Sequence, residues 1–215
     1  MKPGCIVIGG GGHATMVVEA LRLQGRVRIV GATDPAPRKR SVAGVPVLGD
    51  DAVLDQARRL KIRCFSVGLG STGDNRPRAK LYARAIDSGL EPVQAIHPSA
   101  IVSDRATIGP GAMIFPGAVV NPDSDLGANV IVNSAAVVEH DVRIADHAHV
   151  CPRAVLCGGV EVGEGAFIGA GAVVIQRVRI GAWAVVAAGA VVVRDVPEGA
   201  RVAGVPARRM GKKRI

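Results

Sequence analysis

Three of the chain's five histidines, His140, His147 and His149, fall within one short stretch; the other two are His13 and His97. His140 stands in Val138-Glu139-His140-Asp141-Val142, between two carboxylates. A carboxylate beside an imidazole favours the imidazolium and raises the ring's basicity near neutral pH, which is what a general base needs. The bland alternative is a solvated surface histidine. His147 and His149 form His-x-His, and alternate residues of a strand share a face, so a pair of metal ligands is conceivable. No cysteine or carboxylate is spaced to complete such a set, and no metal is expected. Ser134 lies close to His140 in sequence, but no nucleophile-elbow motif surrounds it, which argues against a serine ester intermediate.

A second cluster of candidates follows the first apolar run, Cys5-Ile6-Val7-Ile8. It empties into Gly9-Gly10-Gly11-Gly12-His13. Glycines let a ligand approach the backbone, and a helix start offers free N–H groups to an anion. The order is not that of a dinucleotide fingerprint, so a nucleotide diphosphate fits better than NAD. Asp34, at the end of the second strand, is placed to accept a hydrogen bond from a ribose or base. Gly68 and Gly70 mark another close backbone approach at a strand end. Tight turns alone would also account for these glycines.

The elements that position these groups come in two kinds. From Ile96 to Pro197 the chain reads in blocks of six whose first residue is always Ile, Val or Leu and whose fifth is always small. Such a period is neither helical nor that of a simple strand, and it fits a parallel β-helix. The branched residue points into a narrow interior, three blocks close one coil, and the stretch makes between five and six coils. Stability then comes from stacking, since no coil buries its apolar row alone. His140 is third in its block, away from the inward position.

Before residue 96 the chain alternates strand and helix, which predicts a small α/β domain, half of a Rossmann-like fold. Expected strands are Cys5–Ile8, Val27–Ala32, Val45–Leu48, Arg63–Val67 and Pro92–Ala95. Expected helices cover about Ala14–Leu23 and Asp51–Leu60, with another through Lys80, Leu81 and Ile86. The division is therefore 1–95, 96–197 and a basic tail over 198–215. In that tail Val202-Ala203-Gly204-Val205-Pro206 ends the coils, and Arg208, Arg209, Lys212, Lys213 and Arg214 follow.

Composition narrows the partners. The formal net charge is +9, yet aromatic residues are few, at one Trp, one Tyr and three Phe. Without stacking residues or a nucleic-acid motif, the charge is better read as serving anionic small molecules than nucleic acid. No apolar run is long enough for a membrane span. The first residues do not resemble a secretory signal. The four cysteines, Cys5, Cys64, Cys151 and Cys157, contain no Cys-x-x-Cys pair. They read as reduced packing residues of a cytoplasmic protein.

Four features together carry a family resemblance: the strand–glycine–His13 turn, the unbroken hexads, Asn133 followed by Val138-Glu139-His140-Asp141, and Gly204-Val205-Pro206-Ala207-Arg208. The chain resembles the bacterial nucleotide-sugar acetyltransferases of the pilin-glycosylation, perosamine and sialic-acid O-acetyltransferase group. The resemblance implies an α/β nucleotide-binding domain followed by an all-β, left-handed parallel β-helix. It implies acetyl-CoA as co-substrate and a nucleotide-linked 4-amino-4,6-dideoxy sugar, UDP-linked or GDP-perosamine, as acceptor. His140 is then the base and Asp141, where many relatives carry Glu, its partner, with Asn133 near the reacting amine. His149, Gly158, Ala170, Ala188 and Arg208 fall at acetyl-CoA positions, and Gly11, Gly12, His13 and Asp34 at nucleotide-sugar positions. It also implies a homotrimer with each site between two prisms. O-acetylation of sialic acid or another sugar hydroxyl is the rival chemistry, and a non-catalytic nucleotide-sugar scaffold the rival class.

Overall fold

The structure, a computed structural model, describes residues 2–37, 40–57 and 59–211. Lys212, Lys213 and Arg214 of the basic tail lie outside the described residues.

The α/β part contains β1 (Gly4–Ile8), α1 (Gly12–Gln24), β2 (Arg28–Thr33), β3 (Ser41–Val42), β4 (Val45–Gly49), β5 (Ile62–Val67), α2 (Arg76–Asp87) and β6 (Glu91–Pro92). The strands lie in the order β3-β4-β2-β1-β5-β6. All pair in parallel except β3, which forms a small hairpin with β4. β1 is apolar throughout and wholly buried, as a central parallel strand must be. α1 turns Ala14, Val17, Val18 and Leu21 inward and ends at Gly25 in the left-handed conformation.

Three expectations need correction. α1 begins at Gly12 rather than Ala14, so the glycine turn is itself the helix start. The segment expected as a helix over Asp51–Leu60 is a 3-10 turn, Asp51–Gln56, capped by the Asp50 side chain, which accepts from the Ala52 N–H. Val53, Leu54 and Ala57 are buried together with the spacing of a helical face, so the apolar pattern by itself fits an α-helix as well as the 3-10 turn. The strand expected at Pro92–Ala95 is divided. Glu91–Pro92 closes the α/β sheet, and Ala95–Ile96 opens the prism.

From Ala95 onward two-residue strands alternate with tight turns and stack in parallel on three faces. Face one begins with Ala95–Ile96 and Met113–Ile114, and continues through Ile131–Val132, His149–Val150, Phe167–Ile168 and Val185–Val186. Face two runs from Ile101–Val102 through Val137–Val138 to Val191–Val192, and face three from Thr107–Ile108 to Arg179–Ile180. The second residue of each strand points in. Val120, Leu126, Val132, Val138, Ile144 and Val150 fill one continuous core with alanines such as Ala136, Ala154 and Ala172 at the turns. From Gly111 to Gly189 each turn holds one left-handed residue. Asp123, Asn129, Ala135, Asp141, His147, Arg153, Arg177 and Trp183 supply it alongside glycines.

The α/β part is seated on face one. Ala14, Val17 and Leu21 of α1 share a buried cluster with Ala95, Met113, Phe115 and Ile131 of the prism. Arg78 of α2 is completely buried and donates to the carbonyl oxygens of Asn129, His147 and Ala148 and to Asn75 Oδ1. Burial pulls its pKa down to about 9, so the guanidinium remains charged at neutral pH. Arg76 lies 4.6 Å over the Trp183 ring, completing the seam. Arg78→Ala strands the Asn129 and His147 carbonyls, while Ala148 O keeps the Ile131 N–H, and is expected to lower the unfolding free energy by roughly 3 kcal/mol. Urea denaturation checks this; a loss below about 1 kcal/mol would remove Arg78 from its anchoring role.

Candidate active site

The expected residues gather at two edges of the prism. At the edge between faces two and three, Glu139-His140-Asp141 follows strand Val137–Val138. Asp141 takes the left-handed turn position, with φ of 60°, and this brings its carboxylate back onto its neighbour's ring. His140 Nδ1 and Asp141 Oδ2 are 2.7 Å apart, and both side chains are 64% exposed. The hydrogen bond to Asp141 raises the His140 pKa above its ordinary 6.5, and the negative charges of Asp141, Glu139 and Asp123 act in the same direction. With Nδ1–H donating to the carboxylate, the lone pair of the neutral ring is on Nε2, free to take a proton. Asp in place of Glu therefore still reaches the ring. Gly158 lies in the next coil, where a Cβ would sit 2.7 Å from His140 Cε1 and 2.8 Å from Nε2. Any side chain there displaces the imidazole.

The second gathering is at the edge between faces one and two, where the α/β part overhangs the prism. A cavity of about 500 Å³ opens there, lined among others by Gly12, His13, Gly70, Ser71, Asn133 and His149. Cβ atoms added at Gly11 or Gly12 would meet nothing within 4 Å, so the helix start is open to a ligand. His13 packs edge-on against Phe115 with ring centroids 5.2 Å apart, and its buried Nε2 has no hydrogen-bond partner among the described residues. Burial, then the charge of Arg78, lowers the His13 pKa to about 4. The same two causes, with His13 third, push His149 well below its ordinary value. Both rings are neutral at physiological pH. Asp34 lies against the other side of the glycine turn, its Oδ2 occupying the space that a Cβ on Gly10 would need.

The remaining candidates fall as follows. Ala170 and Ala188 are exposed on the same edge as Asn133, in turns stacked by Gly171 N–H to Pro152 O and Gly189 N–H to Ala170 O, each at 2.9 Å. Arg208 is exposed on the strand Arg208–Arg209, which pairs antiparallel beyond face one. Gly68 packs internally, where a Cβ would lie 2.7 Å from Val7 Cγ1 and 2.8 Å from Ala14 Cβ. His147 and His149 do not share a face. His147 occupies a left-handed turn and packs on Tyr82, while His149 begins a strand and packs on Phe167. No metal-ligating cluster occurs among the described residues.

Sequence reasoning missed Ser71, Asn75 and Arg78. Ser71 contacts His149 Nδ1 at 2.9 Å, and Asn75 binds the carbonyls of Gly165 and Ala166. An arginine on an amphipathic helix reads as solvated, and no local spacing signals these long-range partners.

Residues 5–85 match the family model of the PglD N-terminal domain, and 141–176 and 159–194 match that of the bacterial transferase hexapeptide. A histidine-to-alanine mutant of GDP-perosamine N-acetyl transferase from Caulobacter crescentus, in complex with CoA and GDP-perosamine, has 45% identity over 97% of each chain and a TM-score of 0.92. The chain belongs to the hexapeptide-repeat acetyltransferases of nucleotide-linked amino sugars. The fold is accordingly their α/β domain joined to a left-handed parallel β-helix. The acetyltransferase domain of PglB from Neisseria gonorrhoeae, in complex with acetyl coenzyme A, shares 35% identity over 98% of this chain and all of its own, with a TM-score of 0.90. WeeI from Acinetobacter baumannii AYE shares 25% identity over 96% of this chain and 99% of its own, with a TM-score of 0.84. No curated protein sequence matches significantly.

Two titrations follow from this acetyltransferase's geometry. Asp141→Asn lowers the midpoint of the His140 ring toward 6.5, read by NMR; an unchanged midpoint would deny the pairing. Because the folded state holds His13 neutral down to about pH 4 while the unfolded ring protonates near 6.5, stability falls as pH drops through that window. His13→Phe shrinks that acid loss in denaturation curves taken across the window, and an identical pH profile would contradict the burial argument.

Proposed function

We propose that this enzyme transfers the acetyl group of acetyl-CoA to the 4-amine of a GDP-linked 4-amino-4,6-dideoxy sugar, with His140 as general base. The observation that carries the role of His140 is its Nε2, exposed and made more basic through Nδ1 by Asp141. The choice of a GDP-linked sugar is supported by the 45% identity over 97% of the chain shared with the Caulobacter enzyme.

In the reaction the amine nitrogen attacks the thioester carbonyl while His140 Nε2 takes its proton. The tetrahedral intermediate collapses, the C–S bond breaks, and the proton passes on to the leaving thiolate, giving amide and CoA thiol. Backbone N–H groups steady the oxyanion, and holding both substrates in one cleft supplies much of the rate. Residues 1–95 hold the nucleotide through Gly11, Gly12, His13, Asp34 and Gly70. Residues 96–197 hold the thioester beside His149, Gly158, Ala170 and Ala188, and Arg208 in the 198–215 tail meets a phosphate of the cofactor.

A homotrimer is part of this reading. His140 and Asn133 occupy opposite edges of face two, since strand Val137–Val138 lies between them. One chain does not bring both to one acyl group, whereas the edge of one prism beside that of a second copy does. The outward residues of face two are Ile101, Val119, Val137, Val155, Val173 and Val191, an unbroken apolar column. Ile101 is 66% exposed. Such a column is what an interface between copies buries. No described helix is long and apolar enough to cross a membrane. Its activated substrates and four free cysteines suit the cytoplasm.

His140→Ala is expected to reduce turnover about 10²-fold or more while the circular dichroism spectrum is retained. Thiol release from acetyl-CoA with GDP-, UDP- and dTDP-linked 4-amino sugars is the measurement. Near-native turnover would exclude His140 as base, and preference for a UDP or dTDP sugar would overturn the GDP assignment.

A further inference from the structure

The hydrogen bonds around Ser71 have only one consistent direction. Asn75 Nδ2 faces two carbonyl oxygens, of Gly165 and Ala166, at 3.1 Å each, so its amide orientation is determined. Asn75 Oδ1 therefore faces Ser71 and Arg78, and Arg78 can only donate. The single hydroxyl proton of Ser71 must go to Asn75 Oδ1. Ser71 Oγ, 2.9 Å from His149 Nδ1, is left to accept, and Nδ1 carries the hydrogen.

His149 is buried and neutral, with Arg78 and His13 the charged or titratable groups acting on it. Its Nε2 is consequently a bare lone pair. Asn133 Nδ2 stands 3.1 Å from it, and Asn133 Oδ1 accepts the Ser134 N–H at 2.8 Å, which determines the Asn133 amide from its other end. Both nitrogens of His149 are thereby engaged by protein. The second Nδ2 hydrogen of Asn133 remains, at the wall of the cavity.

We propose that Ser71, carried by the loop between β5 and α2, is a positioning residue for acetyl transfer: it holds His149 in the Nδ1–H form so that Asn133 presents an N–H donor to the cavity. The donor suits an acceptor oxygen, either the thioester carbonyl or a hydroxyl of the sugar. On this account His149 acts through Asn133 and does not itself donate to the acyl group. The proposal rests on the acetyltransferase reading for its kinetic consequence but not for its structural one.

The test pairs spectroscopy with kinetics on the full chain. Protein labelled with ¹⁵N-histidine should show, near pH 7, a neutral ring with Nδ1 protonated and Nε2 bare that is lost in His149→Gln and so assigned to His149, apart from the same form at His140. Ser71→Ala should release that ring to populate the Nε2–H form and lower kcat/KM about tenfold or more. Ser71→Thr keeps the hydroxyl and should retain both tautomer and rate. A rise in KM for acetyl-CoA alone in Ser71→Ala identifies the thioester carbonyl as the acceptor, and a rise for the sugar nucleotide alone identifies a sugar hydroxyl. An Nε2–H tautomer of His149 itself in the native protein overturns the proposal, as does a Ser71→Ala protein with native His149 tautomer and kinetics. If the native protein transfers no acetyl group, the acetyltransferase reading fails, and the tautomer comparison alone decides the role of Ser71.

Discussion

A prism whose interior is one branched side chain deep has no room inside for chemistry. Each coil stacks its Val, Ile or Leu on the coil below, and polar groups that react must stand on an outer face or at an edge. The turns then become the working positions. Their left-handed residues are imposed by the fold, and at Asp141 the same backbone twist delivers a carboxylate to His140. The feature that closes a coil thus also sets the basicity of the ring. Gly158, one coil away, keeps the space in front of that ring clear.

The α/β part builds the cavity at the opposite edge. Its attachment depends on a cation placed where none would be guessed, since Arg78 threads into the prism and donates to the Asn129 and His147 carbonyls, which take no backbone N–H. The same cation favours neutral His13 and His149 beside it. Docking, ring protonation state and the donor pattern along Asn75, Ser71, His149 and Asn133 are therefore one connected arrangement.

Legibility in the sequence followed the range of the interactions. The coils were readable because each block repeats its own local rule, so Val138 and Leu156 announce their inward direction without reference to distant residues. The pairing of His140 with Asp141 was readable for the same reason, being between neighbours. The 3-10 turn at Asp51–Gln56 was not, because Val53, Leu54 and Ala57 have helical spacing and fit α-helix and turn alike. Ser71 and Asn75 were invisible, since their partners lie in the prism some eighty or ninety positions along the chain. His-x-His misled in one respect: alternation places residues on one face only within a strand, and His147 belongs to the turn before it.

What remains most exposed to refutation is that a complete site takes its base from one chain and its cavity from another. Subunit mixing addresses this directly. His140→Ala and Asn133→Ala proteins, each inactive alone, are unfolded together, refolded and assayed for acetyl transfer. Shared sites predict recovered activity in the mixture, because a seam can then join an intact His140 to an intact Asn133. Mixed assemblies that form yet remain as inactive as their parents would contradict the account.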